Sequence, residues 1–204
     1  MSFARILTTT LAGAALAGAL AGCAPLVIGG AAAGAALVAT DRRTSGIQLE
    51  DEGIELRAGS RLRDALGDSA HINVNSYNRL VLLTGEVPNE QAKQRAEQVV
   101  SRVENVRSIV NELGVMGAST LTQRSSDVLV TGKVKASIVD AADLQINAFK
   151  VITERGTVYL MGRVTQREAD KATQIARGVG GVQRVVRVFE PITDEELKRI
   201  APKS

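Results

Sequence analysis

The chain repeats itself. Residues 80–87, Leu-Val-Leu-Leu-Thr-Gly-Glu-Val, lie over residues 157–164, Thr-Val-Tyr-Leu-Met-Gly-Arg-Val, at a shift of 77. Residues 101–110 lie over 177–186 at a shift of 76, so one residue has been lost in the intervening turn. Self-similarity over about 65 residues means one supersecondary unit built twice, and any fold that does not divide into two like halves is excluded.

Both copies have the same pattern of elements. In the first, Ile54, Leu62 and Leu66 mark an amphipathic helix, and the alternation at residues 72–75 suits a half-buried strand. Tyr77-Asn78-Arg79 turns the chain into a strand at 80–87. Pro88-Asn89 opens a helix with Ala92, Ala96, Val99 and Val103 on one face, and residues 106–115 close the module as a third strand. In the second copy Asp127 is the expected N-cap of a helix carrying Val130, Val134 and Ile138. Strands at 146–153 and 157–164 meet at Glu154-Arg155-Gly156, Thr165 caps a helix bearing Ala169, Ala172, Ile175 and Ala176, and residues 182–189 form the last strand. Gly85, Gly156 and Gly162 are read as structural turn glycines. The fold class is α+β: two tandem αββαβ modules, at 50–117 and 124–191, each a three-stranded sheet with two helices on one face. A helical tail is expected at 192–204.

What precedes the repeats is of another kind. Residues 6–40 contain no charged side chain. Arg5, an apolar run at 6–20 and the tetrapeptide Leu20-Ala21-Gly22-Cys23 read as a lipoprotein signal, with residues 1–22 removed and the Cys23 thiol acylated. The run is short for a membrane span. Several acyl chains on one cysteine anchor a protein stably, at about 0.8 kcal/mol per buried methylene. In Gram-negative lipoproteins an Asp after the cysteine commonly retains the protein at the inner membrane, so Ala24 directs this chain to the outer membrane, facing the periplasm. Residues 23–49 are expected to be tether and linker. Within them 24–39 admit two readings, a flexible Ala/Gly tether or a small-xxx-small helix-packing surface.

Composition removes most chemistry. One His and one Cys, the latter consumed by acylation, leave no nucleophile or metal motif. His71 is read as a surface or junction residue. The acidic runs at 50–52 and 194–196 are read as solvated charge at a linker and at a helix start. No catalytic residue, metal or cofactor is expected. With aromatic residues at 2%, base-stacking surfaces are nearly unavailable. The Gly178-Val179-Gly180-Gly181 run, a match to a nucleic-acid-clamping GxxG, falls between a helix and a strand and not between two helices. Nucleic acid is therefore not an expected partner.

Charge divides unevenly between the copies. Residues 50–114 carry eight basic and eleven acidic side chains, whereas 124–190 carry eleven basic and seven acidic. A basic module tethered beside a bilayer meets anionic head groups, at about 1 kcal/mol per Lys or Arg close to the surface. On the first helix of the second copy, Leu129 and Lys133 lie one position round from the core face. There they either contact membrane, with the leucine dipping in and the ammonium on phosphate, or belong to an ordinary helix whose leucine completes the core. Leu129, Lys133 and Lys135 are the candidate phospholipid contacts.

The paired V-x-L-x-G-x-V strands, alanine-faced helices and short return strands resemble BON domains, and their order behind a lipobox resembles the dual BON-domain lipoproteins of proteobacterial outer membranes. That resemblance implies a non-enzymatic protein of envelope integrity. It further implies enrichment at division sites, a link to the β-barrel assembly machinery, and a second domain that binds anionic phospholipid such as phosphatidylglycerol. Leu129 stands where the family has an interfacial tryptophan, which puts head-group selectivity in question. The alternative is an interaction scaffold for assembly or division-site factors, without direct lipid readout.

Overall fold

The computed structural model describes residues 41–200. The leader, Cys23 and the tract at 24–39 lie outside the described residues. The first module runs α1 (Ser45–Leu66), β1 (His71–Tyr77), β2 (Leu80–Val87), α2 (Glu90–Val100), β3 (Ser108–Asn111) and β4 (Gly114–Val115). The second runs α3 (Leu121–Asp140), a 3-10 turn (Ile146–Ala148), β5 (Lys150–Glu154), β6 (Thr157–Val164), α4 (Gln166–Gly178) and β7 (Arg184–Pro191), and α5 (Asp194–Ile200) follows. In each module an antiparallel hairpin, β1-β2 or β5-β6, is joined on the inner strand by a parallel return strand. The third strand expected at 106–115 is interrupted: β3 and β4 both pair with β2, and between them Leu113 turns into the core at 1% exposure.

The linker expected up to residue 49 is structured. Thr44 accepts a hydrogen bond from the Ile47 amide at 3.3 Å and starts α1 at Ser45. Ahead of it, Arg42 is 6% exposed and forms a two-pronged pair with Glu168 of the second module, at 2.6 and 2.9 Å, while also donating to the Arg163 carbonyl at 2.7 Å. A polar run reads as linker from composition, and here every charge in it finds a partner instead. Arg43 pairs with Asp41 and Asp51, each at 2.8 Å.

Asp127 is not an N-cap. Thr120 caps α3 through a reciprocal box with Gln123, seven residues before the expected cap. Asp127 is buried one face round, where it accepts from the Arg155 and Gly156 amides at 2.8 Å each. Asp51 does the same in the first module, accepting from the Asn78 and Arg79 amides at 2.7 and 2.8 Å and from the Ser76 hydroxyl at 2.6 Å. Both hairpins turn through two left-handed residues, Asn78-Arg79 (φ 52° and 66°) and Arg155-Gly156 (φ 49° and 69°). That conformation matches strand twist but costs a non-glycine residue about 1–2 kcal/mol. One buried carboxylate per module satisfies the exposed amides and offsets that cost. Asp51 is thus a structural residue and not solvated linker charge.

Gly85 and Gly162 also differ from expectation, since they lie inside β2 and β6 and not in turns. A Cβ on Gly85 would stand 2.1 Å from the His71 carbonyl oxygen, and one on Gly162 2.2 Å from that of Ala148. Close backbone approach, with φ of 108° and 157°, is what demands glycine there. Gly156 occupies the β5-β6 turn.

Each sheet packs its two helices on one face. Val81, Leu83 and Val87 meet Ile54, Ala58 and Leu62 of α1 and Ala92, Ala96 and Val100 of α2. Val158, Leu160 and Val164 meet Val130, Val134 and Ile138 of α3 and Ala169, Ala172 and Ala176 of α4. The intervening strand residues point the other way, as period-2 geometry requires, and there the modules meet. Tyr77 and Leu82 of one sheet pack on Tyr159, Met161 and Val188 of the other, all at most 6% exposed. The result is a four-layered α/β/β/α body with the sheets back to back.

Candidate functional site

The helix that carries the sequence-predicted contacts, α3, has two faces of opposite use. Val130, Val134 and Ile138 are buried, whereas Leu129 is 66% exposed, so the leucine does not complete the core. Three further apolar side chains share its exposure: Leu121 at 79%, Val128 at 71% and Val139 at 58%. Leu121, Val128 and Val139 are seven and eleven residues apart, which at 3.6 residues per turn aligns them as one stripe. Gly132 falls within the stripe and Leu129 on its flank. Lys133 and Lys135 are both exposed: Lys135, seven residues after Val128 and four before Val139, falls in the row of the stripe, and Lys133 lies one turn on from Leu129 at the far side of it. Beside Lys133 a cavity of about 630 Å³ opens between α3 and α4, lined also by Ser137, Lys171, Gln174 and Gly180.

The first module serves as an internal comparison. At the 76-residue shift, Val128 corresponds to exposed Glu52, Leu129 to Gly53 and Lys135 to Gly59, while the core positions Ile54, Ala58 and Leu62 match Val130, Val134 and Ile138. The buried face is shared and the outer face is not. On α1 only Leu49 and Leu56 project, at 70% and 76% exposure, with Glu52 between them. Sequence reasoning missed Leu121 because it started the helix at Asp127, and without Leu121 the shared row of Val128 and Val139 was not recognised. Taken from the Thr120 cap, the same wheel shows the stripe.

His71 is not a solitary junction residue. Its Nδ1 lies 3.0 Å from Glu86 Oε2, and Glu86 is 1% exposed inside the stack of sheets. Glu86 Oε1 accepts from Arg155 Nε at 2.6 Å, and Oε2 from the Ser119 hydroxyl at 3.3 Å. Burial opposes ionisation of Glu86, but hydrogen bonds from Arg155, Ser119 and His71 outweigh it and hold the carboxyl below its ordinary range. Glu154, 8% exposed, accepts from the neutral Asn73 amide at 2.8 Å. Burial, reinforced by the nearby Glu86 charge, raises the Glu154 pKa against that hydrogen bond. Sequence spacing does not bring His71 and Glu154 together; only the back-to-back packing does.

Fold and repeat define a protein of two tandem αββαβ modules, and the profile of the BON domain matches residues 50–117 and 126–190, one segment per module. The chain belongs to the BON-domain family. It is 40% identical over 173 residues to the outer membrane lipoprotein DolP of Haemophilus influenzae, covering 84% of this chain and 89% of DolP. It is 36% identical over 151 residues to the 21 kDa hemolysin of Actinobacillus pleuropneumoniae, covering 73% of this chain and 78% of that one. Among solved structures, the C-terminal domain of CdsD from the type III secretion system of Chlamydia trachomatis aligns at 13% identity with a TM-score of 0.29, over 66% of this chain and 96% of that domain.

Proposed function

We propose that this chain is a non-enzymatic, outer-membrane-anchored periplasmic lipoprotein that maintains envelope integrity, held by acylated Cys23, and that its second BON module docks on anionic phospholipid such as phosphatidylglycerol through the outer face of α3. The observation that carries the lipid reading is the exposed stripe of Leu121, Val128 and Val139, with Leu129 on its flank and Lys133 and Lys135 on the same outer face. Apolar side chains on such a face sink to the level of the acyl boundary while flanking ammonium groups meet phosphate. Similarity to an outer membrane lipoprotein over most of both chains supports the anchoring and the location. Among the described residues no helix is long and apolar enough to cross a membrane. The acyl anchor supplies residence, so the second contact works at high effective concentration and can be weak.

The test is co-sedimentation of residues 41–204 with liposomes that contain or lack phosphatidylglycerol. Binding that needs the anionic lipid and is lost on Val128→Glu or Leu129→Glu, with circular dichroism unchanged, supports the reading. Binding that survives both substitutions assigns the contact to another surface.

A second reading, a scaffold for assembly-machinery or division-site proteins, is favoured by Leu49 and Leu56 on the outer face of α1. Crosslinking from Leu56 to an envelope protein, with no lipid dependence, would support it.

A further inference from the structure

Where the two sheets meet, three side chains from three strands converge. His71 starts β1, Glu86 is the last residue but one of β2, and Glu154 closes β5 of the other module. One ligand-type atom from each lies within 4.8 Å of the other two. The charges here do not balance. Of the two buried carboxylates only Glu86 takes a hydrogen bond from a guanidinium, that of Arg155, whose remaining bond goes to the Gly117 carbonyl, while Arg124 reaches the cluster only through the Ser119 hydroxyl. Glu86 Oε2 and the Glu154 carboxylate face the imidazole side of the cluster with neutral donors, Ser119 and Asn73.

The fold does not impose this arrangement. At the 77-residue shift, His71 and Glu86 correspond to Ala148 and Arg163, and Glu154 corresponds to Tyr77. On that side Arg163 pairs with Glu190 at 3.3 Å, and Glu190 also takes Arg107 at 2.7 Å, so the charge is covered. Only one of the two like corners collects a nitrogen donor and two carboxylates.

We propose that His71, Glu86 and Glu154 bind a divalent transition-metal ion of the zinc class, which clasps the two BON modules together. One imidazole nitrogen with two carboxylate oxygens suits Zn²⁺ and its neighbours, whereas Mg²⁺ and Ca²⁺ favour all-oxygen sets. Three protein donors and a water complete a four-coordinate zinc site. Bonds of about 2.0–2.2 Å to each donor require the three side chains to draw in slightly from their present spacing. The ion has a way in: the His71 side chain is 25% exposed and lines an open cavity of about 390 Å³ with Leu62, Asp68, Ala118 and Arg124. It also supplies the positive charge that Arg155 alone does not.

The experiment uses the full chain in detergent micelles, stripped with chelator and titrated with Zn²⁺ by calorimetry, with Mg²⁺ as control. Near-unit stoichiometry is expected for zinc and no heat for magnesium. His71→Gln and Glu154→Gln are each expected to weaken zinc binding at least tenfold, and the zinc-induced rise in melting temperature seen in the parent chain should vanish in both. Co²⁺ should give the intense visible bands of a four-coordinate site in the parent chain and lose them in His71→Gln. His71 is partly exposed, so its variant folds and keeps the test decisive if Glu154→Gln does not. Absence of zinc binding overturns the proposal, and so does binding that neither substitution weakens.

Discussion

Removing the Arg42 guanidinium should destabilise the second module although Arg42 precedes the first. In the folded chain the Arg42 and Glu168 side chains are 3% and 4% exposed, and the guanidinium covers both carboxylate oxygens. Glu168 also accepts from the Thr165 amide at 2.9 Å, closing the capping box of α4. Arg42→Ala leaves that carboxylate buried with only its cap partners. Breaking a buried pair from one side costs about 3–5 kcal/mol, and at about 2–4 °C per kcal/mol for a body of this size the melting temperature should fall by roughly 6–20 °C. Arg42→Met combined with Glu168→Gln removes both charges, and should recover most of the loss. Acid gives a second handle. Burial works against the Glu168 charge, but Arg42 and Thr165 outweigh it, so the folded pKa lies below the ordinary value. Stability from this pair is therefore fully present above the ordinary Glu pKa of about 4.3 and lost as pH falls through the lower folded value. Urea melts of residues 41–204 between pH 7 and pH 2.5 read both effects. A loss below about 1 kcal/mol for Arg42→Ala, the range of exposed pairs, would refute the role given to the buried Arg42–Glu168 pair.

Gly162→Ala should be among the most damaging single-atom additions, because its methyl would meet the Ala148 carbonyl oxygen at 2.2 Å at a φ of 157°; loss of cooperative unfolding in a thermal melt is the expected result. Gly132→Ala should do the reverse. No atom lies within 4 Å of a Cβ there, and an exposed glycine inside a helix costs about 0.5–1 kcal/mol relative to alanine, so its urea midpoint should rise.

How much of this was legible in sequence depended on whether a pattern is local. The strands at 80–87 and 157–164 and the Thr165 cap are where periodicity and cap chemistry put them, because adjacent residues carry those signals. The start of α3 was misplaced by the acidic residue Asp127, and Asp51 was read as solvated linker charge. A carboxylate that caps a helix and one that pins a hairpin turn look alike in one dimension, and burial tells them apart. Arg42 was missed for a related reason: its partner is 126 residues away. The exposed stripe of α3 was half visible, through Leu129 and Lys133, and the His71 cluster was not visible at all. That cluster exists only where one module's sheet lies on the other's.

The uneven charge of the two modules has a different meaning once they are seen back to back. Much of it is internal complementarity. Basic residues of the second module are matched by acidic residues of the first: Arg155 by Glu86 at 2.6 Å, Arg184 by Glu112 at 2.9 Å, and Lys150 by Glu55. Those cations are committed to holding the body together. Lys133 and Lys135 form no ion pair among the described residues, and they share the exposed outer face of α3 with its apolar stripe. Net charge is therefore a poor guide to membrane affinity here, and position decides. Lys135→Glu and Arg184→Glu change the total charge equally, yet they should separate. The first should abolish co-sedimentation with phosphatidylglycerol liposomes at low salt and leave the melt unchanged. The second should leave sedimentation intact and cost stability, by about 0–1 kcal/mol for the exposed pair it breaks. Equal losses of sedimentation would mean that lipid responds to the whole field of the module, and the outer face of α3 would then have no special claim.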